Sequence, residues 1–179
     1  RLGASIGISL YPEHAGRAPE LIDCADTAMY AAKGHDSHVQ FYSAALARKR
    51  QHRLSLEARL YEAFEAGEFR LHYQPVFDLR SGAIEGVEAL LRWPRRDGGF
   101  VSPGEFMPVA EETGLIACLG DWVVRTAVAQ RAEWLDAGCD LVMALNLSVE
   151  QLDQPGAGEA LLEAVADARD PTRIELEIT

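Results

Sequence analysis

Along the chain, stretches of helical apolar spacing alternate with runs in which every second residue is apolar, and this change of period marks out the elements. Leu2 to Tyr11 is apolar and small, stops at Pro12 and predicts a strand. From Pro19 onward Leu21, Ile22, Ala25, Ala28, Met29 and Ala32 keep helical spacing and predict a helix ending near Gly34. Val39 to Tyr42 predicts a short strand. Ser43 to Arg59 is strongly helix-forming, and Leu56, Leu60, Ala63 and Phe64 prolong its apolar face as far as Gly67. Phe69 to Leu79 and Ile84 to Trp93 predict two strands separated by a turn at Gly82. A short helix within Pro103 to Gly114 and a long amphipathic one over Leu119 to Ala137 follow. Leu141 to Ser148 and Ile174 to Thr179 close the pattern as strands on either side of a helix over Gly158 to Ala168. Strands interleaved with helices predict an α/β architecture with parallel pairing, as an open sheet or a barrel.

In the four later strands the polar residues share one parity. His72 and Gln74, Glu88 and Arg92, Asn146 and Ser148, and Glu175, Glu177 and Thr179 each lie on one side of their strand. Val87, Ala89 and Leu91, Leu145 and Leu147, and Leu176 and Ile178 lie on the other. A parallel strand covered on both faces is nearly all apolar, so this alternation needs a cause. An antiparallel sheet with one wet face would supply one. The long helix between the second and third of these strands instead suits a parallel crossover, and hence a barrel whose apolar parity meets helices while its polar parity points inward.

Composition narrows the chemistry. With 179 residues, 48% of them hydrophobic, 25% charged and mean hydropathy near zero, the chain is long and apolar enough to bury a core and unlike a disordered sequence. No run approaches the ~20 apolar residues that span a bilayer. A net charge of −11 argues against binding a nucleic-acid polymer over the whole surface, so an anionic ligand needs a metal ion or a placed arginine. Arg48, Lys49, Arg50, Arg53 and Arg59 form a local basic cluster that reads as the solvated face of a connecting helix. Cys24, Cys118 and Cys139 match no disulfide framework or zinc spacing, and free thiols point to a reducing, cytoplasmic setting.

On the inward parity, Glu88, Asn146 and Glu177 would converge as two carboxylates and a carboxamide, a hard-oxygen set suited to Mg²⁺ or Mn²⁺ rather than zinc. Arg92, further along the same parity as Glu88, offers a bidentate fork to a ligand phosphate. The chemistry suggested is metal-assisted attack on a phosphate ester. His72 shares that face as a structural or ligand-contacting residue, Trp122 and Trp134 read as core packing, and Trp93 as packing or pocket lining.

The run Glu88-Ala89-Leu90-Leu91-Arg92-Trp93 resembles the signature of EAL domains, which are cyclic di-GMP phosphodiesterases with a TIM-like barrel. Tyr73-Gln74-Pro75-Val76, Pro103 to Phe106 with Met107-Pro108, Ala110 to Gly114, Asn146-Leu147-Ser148 and Glu175 to Thr179 match further family motifs in family order over about 120 residues. The resemblance implies that Glu88, Asn146 and Glu177 bind metal, that Gln74 and Arg92 contact the phosphates of cyclic di-GMP, and that the product is linear pGpG. It also implies a two-metal displacement by water.

The opening segment resembles the C-terminal end of a GGDEF domain, the diguanylate cyclase fold, through Ala4 to Ser9, Tyr11-Pro12 and Ala25 to Lys33. Where that family has Gly-Arg-Asn after the lysine, this chain has Gly34-His35-Asp36-Ser37-His38, a departure that disfavours GTP turnover. Together the resemblances imply a tandem order: 1–43 as the end of a GGDEF-like domain, 44–59 as a helical linker, and 60–179 as the N-terminal half of an EAL barrel of ~250 residues. The expected function is metal-dependent hydrolysis of cyclic di-GMP by the parent protein. A non-catalytic EAL-type module that binds cyclic di-GMP or a protein partner is the alternative. Homodimerisation of the parent and membrane anchoring through an upstream region stay open.

In the family a lysine and further acidic groups follow the motifs matched here. The 179-residue chain alone is therefore expected to be inactive, and pGpG formed by it from cyclic di-GMP and Mn²⁺ would overturn that expectation.

Overall fold

The computed structural model describes residues 4–33, 38–153, 156–166 and 168–178. It divides into two compact units, Arg1–Leu56 and Glu57–Thr179. The departure at Gly34 to Ser37 and the predicted strand end at Thr179 lie outside the described residues.

In the first unit, strand β1 (Ile6–Ile8) and strand β2 (Val39–Phe41) pair in parallel, with helix α1 (Ala18–Ala32) as the crossover. β1 is shorter than the predicted strand. Its central residue sets how closely α1 approaches: a Cβ at Gly7 would stand 1.9 Å from the Ala25 carbonyl oxygen, so only glycine lets the helix backbone lie on the strand. Ala28 and Ala32 are the fully buried residues of that helix. Asp26 and Thr27 receive Arg50, which donates from Nη1 at 2.9 and 3.2 Å. Arg50 and Arg53 also stand over the Tyr30 ring, so part of the basic cluster is engaged within the fold rather than wholly solvated.

One uninterrupted helix, α2 (Ala44–Glu65), carries the chain into the second unit. There β3 (Arg70–Phe77), β4 (Ile84–Pro94), β6 (Val142–Leu147) and β7 (Ile174–Ile178) lie side by side in that order, and β5 (Phe100–Val101) pairs with the end of β4. Helices α3 (Pro103–Thr113) and α4 (Leu115–Asp136) connect β5 to β6, while α5 (Val149–Leu152) and α6 (Ala157–Ala166) precede β7.

The expectation of parallel pairing is corrected at the first pair. β4, β6 and β7 are parallel, but β3 runs antiparallel to β4. The short Asp78 to Ala83 connection is the reason, because it can only return the chain as a hairpin. Asp78 caps that turn by accepting from the backbone N–H groups of Arg80 at 2.6 Å and Ser81 at 2.7 Å. The bonds from Ser81 and then Arg80 hold its carboxyl below the usual aspartate range.

The alternation of parity becomes two distinct faces. Val87, Ala89, Leu145 and Leu147 pack with Val123, Val124, Ala127 and Val128 of α4, with Leu71, Tyr73, Leu91 and Ile174 at the margin of the same cluster. Trp122 and Trp134 join that margin, as expected of core residues. Trp93 is fully buried between Phe69 and Phe106, so it serves packing rather than the pocket.

At the N-terminal ends of the parallel strands a buried cation ties three elements together. Arg131 of α4 is 2% exposed, and donates to the Leu141 carbonyl at 3.0 Å and to Asp140 at 2.8 Å. The second oxygen of Asp140 accepts from Arg173, just before β7, at 3.3 Å. Removing the carboxylate takes the direct ion pair from the buried guanidinium and leaves its hydrogen bond to the Leu141 carbonyl. Asp140→Ala is expected to cost about 2–4 kcal/mol in urea unfolding, and a loss below about 0.5 kcal/mol would show that the clamp adds nothing.

Candidate functional site

On the face opposite α4, strand register brings the polar residues into one row. Gln74 of β3 is directly across from Glu88 of β4, and Ala144 of β6 is across from Glu88 on the other side. Asn146, two residues on from Ala144, lies on the same face and pairs in register with Glu177 of β7. Four strands thus present Gln74, Glu88, Asn146 and Glu177 across about three strand spacings of ~4.8 Å. The small side chain of Ala144 lets the diagonal pair meet.

That diagonal contact is the one direct bond in the set. Asn146 donates from Nδ2 to Oε1 of Glu88 at 2.6 Å, linking residues 58 apart in the chain. Both are half-buried, while Gln74 and Glu177 are exposed. With its amide nitrogen committed to Glu88, Asn146 keeps its carbonyl oxygen as a donor atom for a third group. Arg92 stands one strand-turn beyond Leu90 on the same parity, across from Arg70 on β3. Its Nη1 donates to the Leu91 carbonyl at 3.0 Å, which turns one arm of the fork back on its own strand.

The segment after Asn146 is fixed by local capping. Ser148 ends β6 as the N-cap of α5, accepting from the backbone N–H of Gln151 at 3.1 Å. The side chain of Gln151 lies where a Cβ at position 120 would be, 2.0 Å from its Nε2, so Gly120 of α4 makes room for α5. A cavity of about 200 Å³ opens beside these residues, with Leu90, Arg92, Met107, Leu119, Asn146 and Gln151 in its lining.

The donor set suits a hard divalent cation. Among the described residues no three histidine, cysteine, aspartate or glutamate side chains gather tightly enough to hold a metal. The candidate centre therefore depends on a carboxamide as its third member, and two carboxylate groups plus an amide oxygen are donors of the kind Mg²⁺ and Mn²⁺ take. The mouth of the face also carries Phe100, which the strand alternation does not single out. The available signal is Gly98-Gly99 between two apolar pairs, a hairpin signature: both glycines have positive φ, and Arg95 and Gly99 close the turn.

The family model described as the EAL domain matches residues 57–179. Among curated proteins, the bifunctional diguanylate cyclase/cyclic di-GMP phosphodiesterase MucR of Pseudomonas aeruginosa is 39% identical over 183 residues, which take in 100% of this chain and 27% of that protein. The cyclic di-GMP phosphodiesterase PdeR of Escherichia coli is 36% identical over 98% of this chain and 27% of its own length. Among solved structures, the PaMucR phosphodiesterase in its c-di-GMP complex matches with a TM-score of 0.64 at 39% identity, over 68% of this chain and 50% of that one. The Xanthomonas citri FimX EAL domain in complex with c-diGMP matches at 0.61 and 29% identity, over 74% of this chain and 51% of that one. The chain thus spans about a quarter of the length of these curated relatives and about half of these solved chains.

Asn146→Asp tests the geometry directly. It would place two carboxylates at hydrogen-bond distance, and their repulsion raises the folded-state pKa of the pair above the unfolded value of ~4. No penalty is expected at pH values below that unfolded value, where both groups are protonated, and stability is expected to fall as pH rises through it. Thermal unfolding between pH 3 and 8 in the absence of divalent cations measures this. An unchanged profile would show that the two side chains do not face each other.

Proposed function

The chain belongs to the EAL domain family, and on that premise we propose that it forms the substrate-binding and metal-binding half of a phosphodiesterase that hydrolyses cyclic di-GMP to pGpG. The observation that carries this reading is the Asn146 to Glu88 hydrogen bond, set within a row of polar side chains on the face that α4 does not cover. The names of MucR and PdeR, each matched over nearly the whole chain, support the choice of substrate.

Glu88, Asn146 and Glu177 are the residues that would hold Mg²⁺ or Mn²⁺. When bound, such an ion supplies a more acidic water and neutralises charge on the scissile phosphodiester. Arg92 receives a phosphate oxygen through the arm of its guanidinium not committed to Leu91, and Gln74 offers its carboxamide N–H groups beside Glu88. The carboxylate of Glu88 is held in one orientation by Asn146, so little reorganisation is needed when a cation arrives. An acidic chain of net charge −11 would in this way accept an anionic dinucleotide only where cations and Arg92 offset its own field.

We read residues 1–43 as the C-terminal end of a GGDEF-like domain, 44–59 as a helical linker and 60–179 as the N-terminal half of an EAL barrel. The parallel β1-α1-β2 unit and the alignment of the whole chain with MucR support this order. A cytoplasmic site of action agrees with a nucleotide substrate, and among the described residues no helix is long and apolar enough to cross a membrane.

Incubating the full-length protein with cyclic di-GMP and Mn²⁺ is expected to yield pGpG. Glu88→Ala is expected to lower that turnover about 10³-fold while leaving the far-ultraviolet circular dichroism unchanged. Clear binding of cyclic di-GMP without any pGpG would favour a non-catalytic binding module instead. Undiminished turnover in Glu88→Ala would remove it from the metal site.

A further inference from the structure

Two aromatic side chains stand together at the open end of the polar face, and neither is used by the reading above. His72 of β3 pairs in register with Leu90, on the parity of Gln74 and Glu88. Phe100 of β5 pairs with Pro94, two residues beyond Arg92. Their rings meet edge to face, with centroids 5.1 Å apart and planes at 84°. In an edge-to-face pair, whichever ring supplies the edge, at least one face of each ring is left uncovered by the other.

Phe100 keeps 45% of its surface exposed, although burial of a large aromatic ring is ordinarily favourable. Its backbone is nevertheless firmly held. The next residue, Val101, is 1% exposed and lies across from the fully buried Trp93, and the Gly98-Gly99 turn closes the hairpin. The fold thus anchors a two-residue strand through Val101 and leaves Phe100 presented on the side of Arg92. A held, exposed aromatic ring on the same face as Arg92 and two residues further along the strand matches a ligand in which a planar heterocycle and a phosphate are held apart by a sugar.

We propose that Phe100, braced by His72, is the stacking platform for one purine base of the dinucleotide whose phosphate Arg92 receives. This rests on the phosphodiesterase reading and extends it to the base. Stacking recognises the π-face common to both purines, so the platform contributes affinity for a purine dinucleotide and leaves the choice of guanine over adenine to groups that reach the base edge. His72 acts as a positioning residue, because its ring packs against Phe100 and limits the orientations that Phe100 samples.

Steady-state hydrolysis of cyclic di-GMP by the full-length protein tests the proposal. Phe100→Ala is expected to raise KM about five- to 150-fold, the range seen when a stacked base loses its aromatic partner, while kcat changes less than about threefold. Phe100→Tyr, which keeps a ring face, is expected to return KM to within about threefold of the unaltered protein, whereas Phe100→Leu, apolar but without a ring, is expected to resemble Phe100→Ala. His72→Ala is expected to raise KM by a smaller factor than Phe100→Ala. Turnover by the unaltered protein combined with an unchanged KM in Phe100→Ala, or a Phe100→Leu variant as good as Phe100→Tyr, would overturn the platform alone. Neither binding nor turnover of cyclic di-GMP by the unaltered protein would overturn the phosphodiesterase reading and the platform with it.

Discussion

Helix α4 lays Val123, Val124, Ala127 and Val128 on Val87, Ala89, Leu145 and Leu147, and because side chains alternate across a strand, that contact also decides what faces the other way. Shifting β4 or β6 by one residue would bring Glu88 or Asn146 into an apolar cluster and expose the residues that now fill it. Burying an unpaired carboxylate costs far more than the packing of one valine gains, so the register is strongly specified. The site on the open face is in this sense a product of the core behind it.

The same constraint explains why the candidate site residues can be so few and so exposed. Gln74 and Glu177 gain little from burial, and their positions follow from strand pairing with Glu88 and Asn146. Only the central pair is held by a direct bond, and it is half-buried, where a hydrogen bond to a charged group is stronger than in open water. At the other end of the strands, Arg131 and Asp140 fasten the start of β6 to α4 and to the approach to β7. The sheet is therefore tied at its base by the buried Arg131 with its exposed partner Asp140 and toward its other end by a carboxamide–carboxylate pair, with the apolar layer between them.

Asparagine suits its position for a physical reason. A third carboxylate in the row would add repulsion to a chain already strongly acidic, whereas a carboxamide donates to Glu88 and still offers an oxygen. Local chemistry supports the placement. Ser148 caps the short helix that follows Asn146, and Gly120 leaves room for Gln151, so the exit of β6 is defined within a few residues of the site.

Much of this was written in the one-dimensional pattern. Period-two alternation in four strands separated polar from apolar faces, helical spacing located α1, α2 and α4, and the spacing of Glu88, Asn146 and Glu177 along their strands put them on one face. These are properties of single elements, in which the backbone geometry alone converts sequence separation into direction. Pairing is different, since parallel and antiparallel strands share the same period, and the antiparallel return of β3 came from the length and capping of one turn. The 2.6 Å bond between residues 58 positions apart, the burial of Trp93 between Phe69 and Phe106, and the edge-to-face contact of Phe100 with His72 belong to the tertiary structure alone. They depend on which strands become neighbours and at what register, and that is decided by the packing of the whole sheet against its helices rather than by any local run of residues.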